Sequence, residues 1–263
     1  MPKTFPASIF AHRHTLWSLA LHDFRSQYLD SFLGFFWAII KPLVMIGIYV
    51  VVFSSVAQPG EGTLSANQYG FYIFAGMLPW LAIQESLLRG STVMQDFAHL
   101  IRHHPIPLYL LPCQLVLSAT VTGILATLAF VLLKTIVGGT PSAFGLLILV
   151  ILPVQTVFCF GLSLLVSLLT VFLRDTQHFL TAMLTVWFFA SPIVFPAEAL
   201  PGFLQGFWSN PLVGLTEIYR HLLLAGTLPP PGAVIAFSCY AAMSLGLSLL
   251  LYARTRKEII DWL

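Results

Sequence analysis

Charge is what this chain has least of. Only 8% of its 263 residues are Asp, Glu, Lys or Arg, while 58% are hydrophobic and the mean hydropathy is +0.89. A soluble domain carries about 25% charged residues, so a water-facing surface over most of the chain is excluded and the sequence is that of an integral membrane protein. The length supplies several spans of about 20 residues each and leaves little for a separate soluble domain. Cysteine is scarce too. Cys113, Cys159 and Cys239 are odd in number, lie in apolar runs and lack CxxC spacing, which points to packing residues and away from a disulfide framework or a zinc site.

Reactive constellations are missing in the same way. No paired acids, HExxH helix or serine–histidine arrangement occurs, which argues against an intramembrane enzyme. Glu85 is the one carboxylate inside an apolar span, so the acidic or histidine relays of an ion-coupled pump are missing as well. There is no GxxxxGKS/T phosphate loop, so energy from nucleotide hydrolysis must come from another chain. A cleavable leader is not expected, because His12, Arg13, His14, His22 and Asp23 interrupt the place where its apolar core would stand.

What is present is a series of apolar segments. The fold class expected is all-α and membrane-integral, one transmembrane domain over 1–263 with spans at 33–57, 69–88, 108–137, 143–173, 176–195 and 233–252. Residues 8–28 precede them with Phe10, Trp17, Leu21, Phe24 and Tyr28 at helical spacing and most charges off that stripe. This describes an amphipathic helix lying in the interface, or else a helix packed on the domain. Six spans put both termini on one side. Lys3, Arg13, Arg25, Lys41, Arg89, Arg102, Arg174, Arg254, Arg256 and Lys257 then share that side, ten of 12 basic residues, leaving Lys134 and Arg220 for the other. The positive-inside rule makes the shared side cytoplasmic. No internal repeat suggests an inverted-repeat transporter. The net charge of +2 implies no nucleic-acid partner, because in a membrane protein the placement of the positives decides.

Four stretches carry the remaining information. In the first, Tyr28 to Pro42, a Leu33-Gly34 break precedes Phe35-Phe36-Trp37 and a Lys41-Pro42 step, which marks either a span entrance or a bent helix. The second, 89–107, holds Asp96, His99, Arg102, His103 and His104. Its His99/His103 pair has i, i+4 metal-ligand spacing, but a solvated or partner-facing cytoplasmic helix suits it better and no metal is expected. The third is a scatter of aromatics, Phe35, Trp37, Tyr49, Phe71, Tyr72, Trp80, Trp187 and Phe188, which either pack and anchor or line a passage where ring faces meet sugars. The fourth is 196–232, where Pro196, Pro201-Gly202 and Asn210-Pro211 separate apolar pieces too short to cross. It reads as a re-entrant hairpin, acceptable only where protein or a water-filled cavity shields its backbone. Within it Glu217 and Arg220 have the i, i+3 spacing of an ion pair, and on a functional reading help set a gate.

Taken together, Tyr28, Ser31, Leu33-Gly34, Trp37, Pro42, Arg174-Asp175, Ser191-Pro192-Ile193, Pro201, Asn210-Pro211, Arg220 and Gly226 make nearly the whole chain resemble the membrane subunit of a polysaccharide-exporting ABC transporter. The class includes O-antigen, capsule and teichoic-acid exporters, and the front motif and the Ser191-Pro192-Ile193 ending resemble the O-antigen branch most. The resemblance implies a homodimer in the bacterial inner membrane, with two copies of a soluble ATPase that holds the ATP and magnesium; this chain carries no cofactor. It also implies a cargo polymer on a polyprenyl-diphosphate carrier, whose head is met near Arg25, Tyr28, Ser31, Leu33, Gly34 and Lys41. The region of Asp96, His99, Arg102, His103 and His104 is then the coupling segment on the ATPase, and 196–232, with Pro196, Asn210, Pro211, Glu217 and Arg220, the outer gate. Arg102-His103-His104 stands where the class more often has a lysine-rich run. Two alternatives remain at this point: a drug or small-lipid exporter of the same architecture, and an intramembrane transferase.

Overall fold

The computed structural model describes residues 12–28, 34–56, 66–103, 107–137, 140, 142–173, 175–256 and 258–262, and every regular element among them is helical. In chain order these are α1 (Arg13–Tyr28), a 3-10 turn at Gly34–Phe36, α2 (Trp37–Val56), α3 (Ala66–Asp96) and α4 (Ala98–His103). There follow α5 (Leu110–Ile136), a 3-10 turn at Ala143–Leu147 leading into α6 (Ile148–Phe172), and α7 (Thr176–Phe189). Short turns at Ala197–Ala199 and Gly202–Leu204 lead to α8 (Pro211–Arg220), which runs on through a π-helical turn, His221–Ala225, before α9 (Pro231–Thr255) and α10 (Ile259–Trp262).

Four stretches are long and apolar enough to cross a membrane: Gln68–Asp96, Leu110–Ile136, Ala143–Phe172 and Pro231–Thr255. Of these the first is the hub. Two thirds (67%) of its most apolar window is buried, against 28–39% in the others, and α2, α5, α6, α7 and α8 all pack on α3. The outer helices show large apolar side chains outward, among them Leu128, Leu132 and Ile136 on α5, Leu149 and Val150 on α6, and Leu247 and Leu250 on α9. Apolar exposure on that scale suits hydrocarbon as the surrounding solvent. Since lipid offers helices no hydrophobic drive to associate, small residues set the close crossings. At the α6–α9 crossing a Cβ on Gly161 would stand 2.5 Å from the Ser244 carbonyl carbon, so only glycine lets these backbones meet.

Several boundaries differ from the sequence expectation. The second span was expected to end at Leu88, with a polar stretch after it. Instead α3 continues unbroken to Asp96, because Arg89 finds carboxylates on both sides and Gly90 is buried against Ser163 of α6. The segment 176–195 was expected as a full span, but α7 is 14 residues, about 21 Å, against a hydrocarbon thickness of about 30 Å. The chain from Ala190 to Phe195 is a turn, as Ser191-Pro192 would dictate. On α1 the apolar stripe expected from the sequence is divided among its described members, with Phe24 half-buried. Trp17 and Leu21 are exposed, while Leu16 and Ala20 are buried where α1 packs on α5. Polar residues continue that inner face: Gln27 Nε2 donates to Ser118 Oγ of α5 (2.9 Å), and Arg89 Nη2 of α3 pairs with Asp23.

Candidate functional site

The segment between α7 and α9 is held by one buried asparagine. Asn210 is 4% exposed, and both ends of its amide are used. Its Oδ1 accepts from the Leu212 backbone N–H (3.0 Å), the N-cap bond that starts α8 ahead of Pro211 at the first helical position. The same oxygen accepts from the Trp187 indole N–H at 3.0 Å. Its Nδ2 donates to the Ala190 carbonyl (3.0 Å) and to Ser191 Oγ (2.9 Å), while Ser191 Oγ–H donates to the Trp187 carbonyl (2.6 Å). One side chain thereby caps α8 and ties it to the end of α7.

The other end of α8 places a cation in the protein interior. Arg220 is 6% exposed; its Nη2 donates to the Ile193 carbonyl (2.9 Å), and its guanidinium carbon lies 3.5 Å from the centroid of the Tyr72 ring. A desolvated cation over an aromatic face gains about 2 kcal/mol. Tyr72 is stacked with Tyr69, whose hydroxyl donates to the Val194 carbonyl (2.9 Å). Gly76, one turn further along α3, leaves the space for this arrangement: a Cβ there would be 2.9 Å from the Ile193 oxygen and 3.0 Å from Arg220 Nη2. The expected Glu217–Arg220 ion pair does not form. Glu217 turns instead to His221, its i+4 neighbour (3.1 Å), and Arg220 points the other way, into the bend after α7. Deeper in, Tyr219 donates to Gln155 Oε1 of α6 (2.6 Å) and Gln155 Nε2 donates to the Pro79 carbonyl of α3 (3.3 Å), so α8, α6 and α3 share a buried polar link.

The aromatic candidates separate into groups. Trp80 is buried edge-on to Trp187 (5.9 Å) and beside Phe188 (5.6 Å), and the cleft next to them, about 140 Å³, also takes in Gln84, Thr181 and Thr185. Phe71 packs edge-on against Phe130 of α5 (5.7 Å), Tyr72 serves Arg220, and Trp37 is half-buried at the start of α2. The side chains of Phe35 and Tyr49 lie outside the described residues.

At the opposite end of α3, Arg25 is exposed on α1, and Gly34 opens the turn into α2 at φ 47°, the left-handed region that favours glycine. That angle gives the Leu33-Gly34 break its physical basis. Pro42 is buried inside α2, past its first turn. Ser31 and Leu33 lie outside the described residues, as do the side chains of Tyr28 and Lys41. Asp96 closes α3, accepting from Thr92 Oγ1 (2.8 Å), and is exposed, as is His99 on α4. His104 and the side chains of Arg102 and His103 lie outside the described residues. Among the described residues no three His, Cys, Asp or Glu side chains gather as metal ligands. Pro196 is exposed at the turn before Ala197–Ala199. Sequence reading passed over Tyr69, Gly76, Gln155 and Tyr219. A lone glutamine in the apolar run of α6 was the one available signal, since a buried amide needs partners.

Comparison with known proteins follows the same extent of chain. The family described as ABC-2 type transporter matches residues 14–224. An O-antigen export system permease protein, RfbA, of Myxococcus xanthus is 25% identical over 258 residues, 96% of each chain. A protein of the same name from Klebsiella pneumoniae is 25% identical over 210 residues, 78% of each chain. The polysialic acid transport protein KpsM of Escherichia coli is 23% identical over 257 residues, covering 93% of this chain and 94% of its own.

Proposed function

The chain belongs to the ABC-2 type transporter membrane family, and from that premise we propose that it is the membrane subunit of an ATP-driven polysaccharide exporter, of the O-antigen type. The observation that carries this reading is the match over 93–96% of the chain to an O-antigen export permease and to a polysialic acid transport protein. The energy comes from a separate soluble ATPase, two copies of which serve two copies of this chain. The exposed end of α3 with α4, at Asp96 and His99, is the segment seated on that ATPase. Support for a second copy comes from α7, which is too short to cross alone and exposes Phe179, Val186 and Phe189. In a homodimer that face is covered, and the Trp80–Phe188 cleft with its hydroxyl and amide neighbours lies toward the polymer path. Aromatic faces beside such groups suit sugar rings, which present apolar faces and polar edges.

In this reading the protein crosses the inner membrane six times with both termini cytoplasmic, the four longer spans being completed by α2 (20 residues, about 30 Å) and by α7 together with the turn Ala190–Phe195 that prolongs it. The segment from Pro196 to Gly232 folds back from the outer side, with α8 packed against α3 and α9, and closes the exit. The polymer arrives on a polyprenyl-diphosphate carrier met beside Arg25 and the Gly34 turn. The test is surface display of polymer on cells from which the gene is removed, then restored. Loss with intracellular accumulation of lipid-linked polymer, reversed by the restored gene, is expected; unchanged surface polysaccharide refutes the reading.

A further inference from the structure

Away from the α7–α8 framework, a groove of about 500 Å³ runs between α5 and α6 and is lined almost wholly by hydrocarbon, with Ile124, Phe130, Leu149 and Leu152 among its walls. Lys134 and Ser142 stand at one end of it. We propose that this groove holds one acyl chain of an anionic phospholipid, with the lipid phosphate at Lys134.

Three features point to that occupant. The first is length. From Ile124 to Lys134 on α5 is ten residues, and from Ser142 to Leu152 along the antiparallel wall is ten more. At about 1.5 Å per residue the α5 wall is about 15 Å deep, half of the roughly 30 Å hydrocarbon thickness. The groove is therefore one leaflet deep, the reach of a phospholipid tail. The second is access. Leu128, Leu146 and Leu149 on its walls are 60%, 71% and 61% exposed, so the groove opens sideways to the bilayer and a tail enters without crossing water. The third is charge. Lys134 Nζ donates to the Leu223 carbonyl (2.7 Å) and lies 3.5 Å from that of Leu224, in the π-helical turn that ends α8. Those carbonyls orient the ammonium at the mouth of the groove without neutralising it, and among the described residues no carboxylate pairs with it. A lysine at this depth keeps its charge at the headgroup level, where a phosphate complements it. Ser142, whose Oγ accepts from the Phe144 N–H (3.1 Å), adds a hydroxyl at the same end.

The full chain, extracted with an equimolar mixture of phosphatidylglycerol and phosphatidylcholine of identical tails, is read by native mass spectrometry for retained lipid. The wild type retains phosphatidylglycerol in preference. Lys134→Gln lowers that preference about fivefold, the factor expected of one basic residue facing anionic lipid, whereas Lys134→Arg keeps it. Because Lys134→Gln also removes the contact to Leu223, a second variant, Leu149→Trp at an exposed wall position, fills the groove from outside and lowers retention of both lipids. Equal head-group preference in wild type and Lys134→Gln, or undiminished retention in Leu149→Trp, overturns the proposal. So does displacement of phosphatidylglycerol by an equimolar polyprenyl phosphate, which makes a carrier lipid the occupant. None of these readouts depends on transport.

Discussion

Replacing Asn210 by alanine removes four hydrogen bonds at one stroke, and its cost can be worked from the groups left behind. The α8 cap is lost, at about 1 kcal/mol. The Trp187 indole N–H and the Ala190 carbonyl lose a buried partner, each at about 1–3 kcal/mol. Because losses within one network overlap, the net effect is about 3 kcal/mol. For a chain of this size each kcal/mol moves the unfolding midpoint by about 2–4 °C, so Asn210→Ala should unfold about 6–12 °C below the wild type. The assay is size-exclusion chromatography of the detergent-extracted protein after a temperature ramp. Asn210→Ser separates the contributions, since serine restores the cap but does not reach Trp187, and only part of the loss should return. Trp187→Phe removes the indole donor, so adding Asn210→Ala to it should cost about 1 kcal/mol less than in the wild type. Simple additivity in that cycle, or an Asn210→Ala midpoint equal to the wild type, refutes the view that this side chain ties α7 to α8.

Gly76→Val should destabilise by about 1–3 kcal/mol through overpacking against the Ile193 carbonyl and Arg220; Gly246→Ala, with open space around it, is the control, and equal midpoints for the two would discount the close approach at Gly76. Asp23→Asn should loosen α1 by about 1 kcal/mol, the pair with Arg89 being partly exposed (12% and 28%), and should speed protease cleavage between α1 and α2. The same change at Glu85, an i, i+4 partner of Arg89, should do less. Arg25→Ala should lower polymer export while leaving self-association, measured by cross-linking, intact; full export in that variant removes Arg25 from the carrier site.

Much of the architecture was legible because it rests on properties that belong to single segments. Long apolar runs marked the four longest helices, and the Asn210-Pro211 signature of a cap followed by proline marked the start of α8. The rest depended on partners far away in the chain. Arg89 looked like the start of a polar stretch, but with Asp23 and Glu85 beside it the residue stays inside α3. Arg220 had a carboxylate at ideal helical spacing and ignores it, because the Ile193 carbonyl and the Tyr72 ring lie on the side of α8 that faces the interior. Helical periodicity identified an apolar stripe on α1 but not whether it faces the domain or its surroundings; Trp17 and Leu21 turn outward while Leu16 and Ala20 pack on α5. Lys134 counted in the sequence only as one of two cations on the outer side, since nothing local told of the carbonyls that receive it.

Mechanically, α3 is a single rod. Its 31 residues extend about 46 Å. One end is pinned to α1 through Arg89 and Asp23, and the other carries Tyr69, Tyr72 and Gly76, on which the bend after α7 and the buried guanidinium rest. Pro79 lies near its midpoint, bonded through Gln155 to Tyr219 of α8. A tilt of about 5° around that fulcrum carries the two ends about 2 Å in opposite directions. As long as the rod stays straight, a push delivered near Asp96 cannot be kept from the Tyr72 end; only a bend at Pro79, where the helix ladder lacks one N–H, lets the two ends act separately.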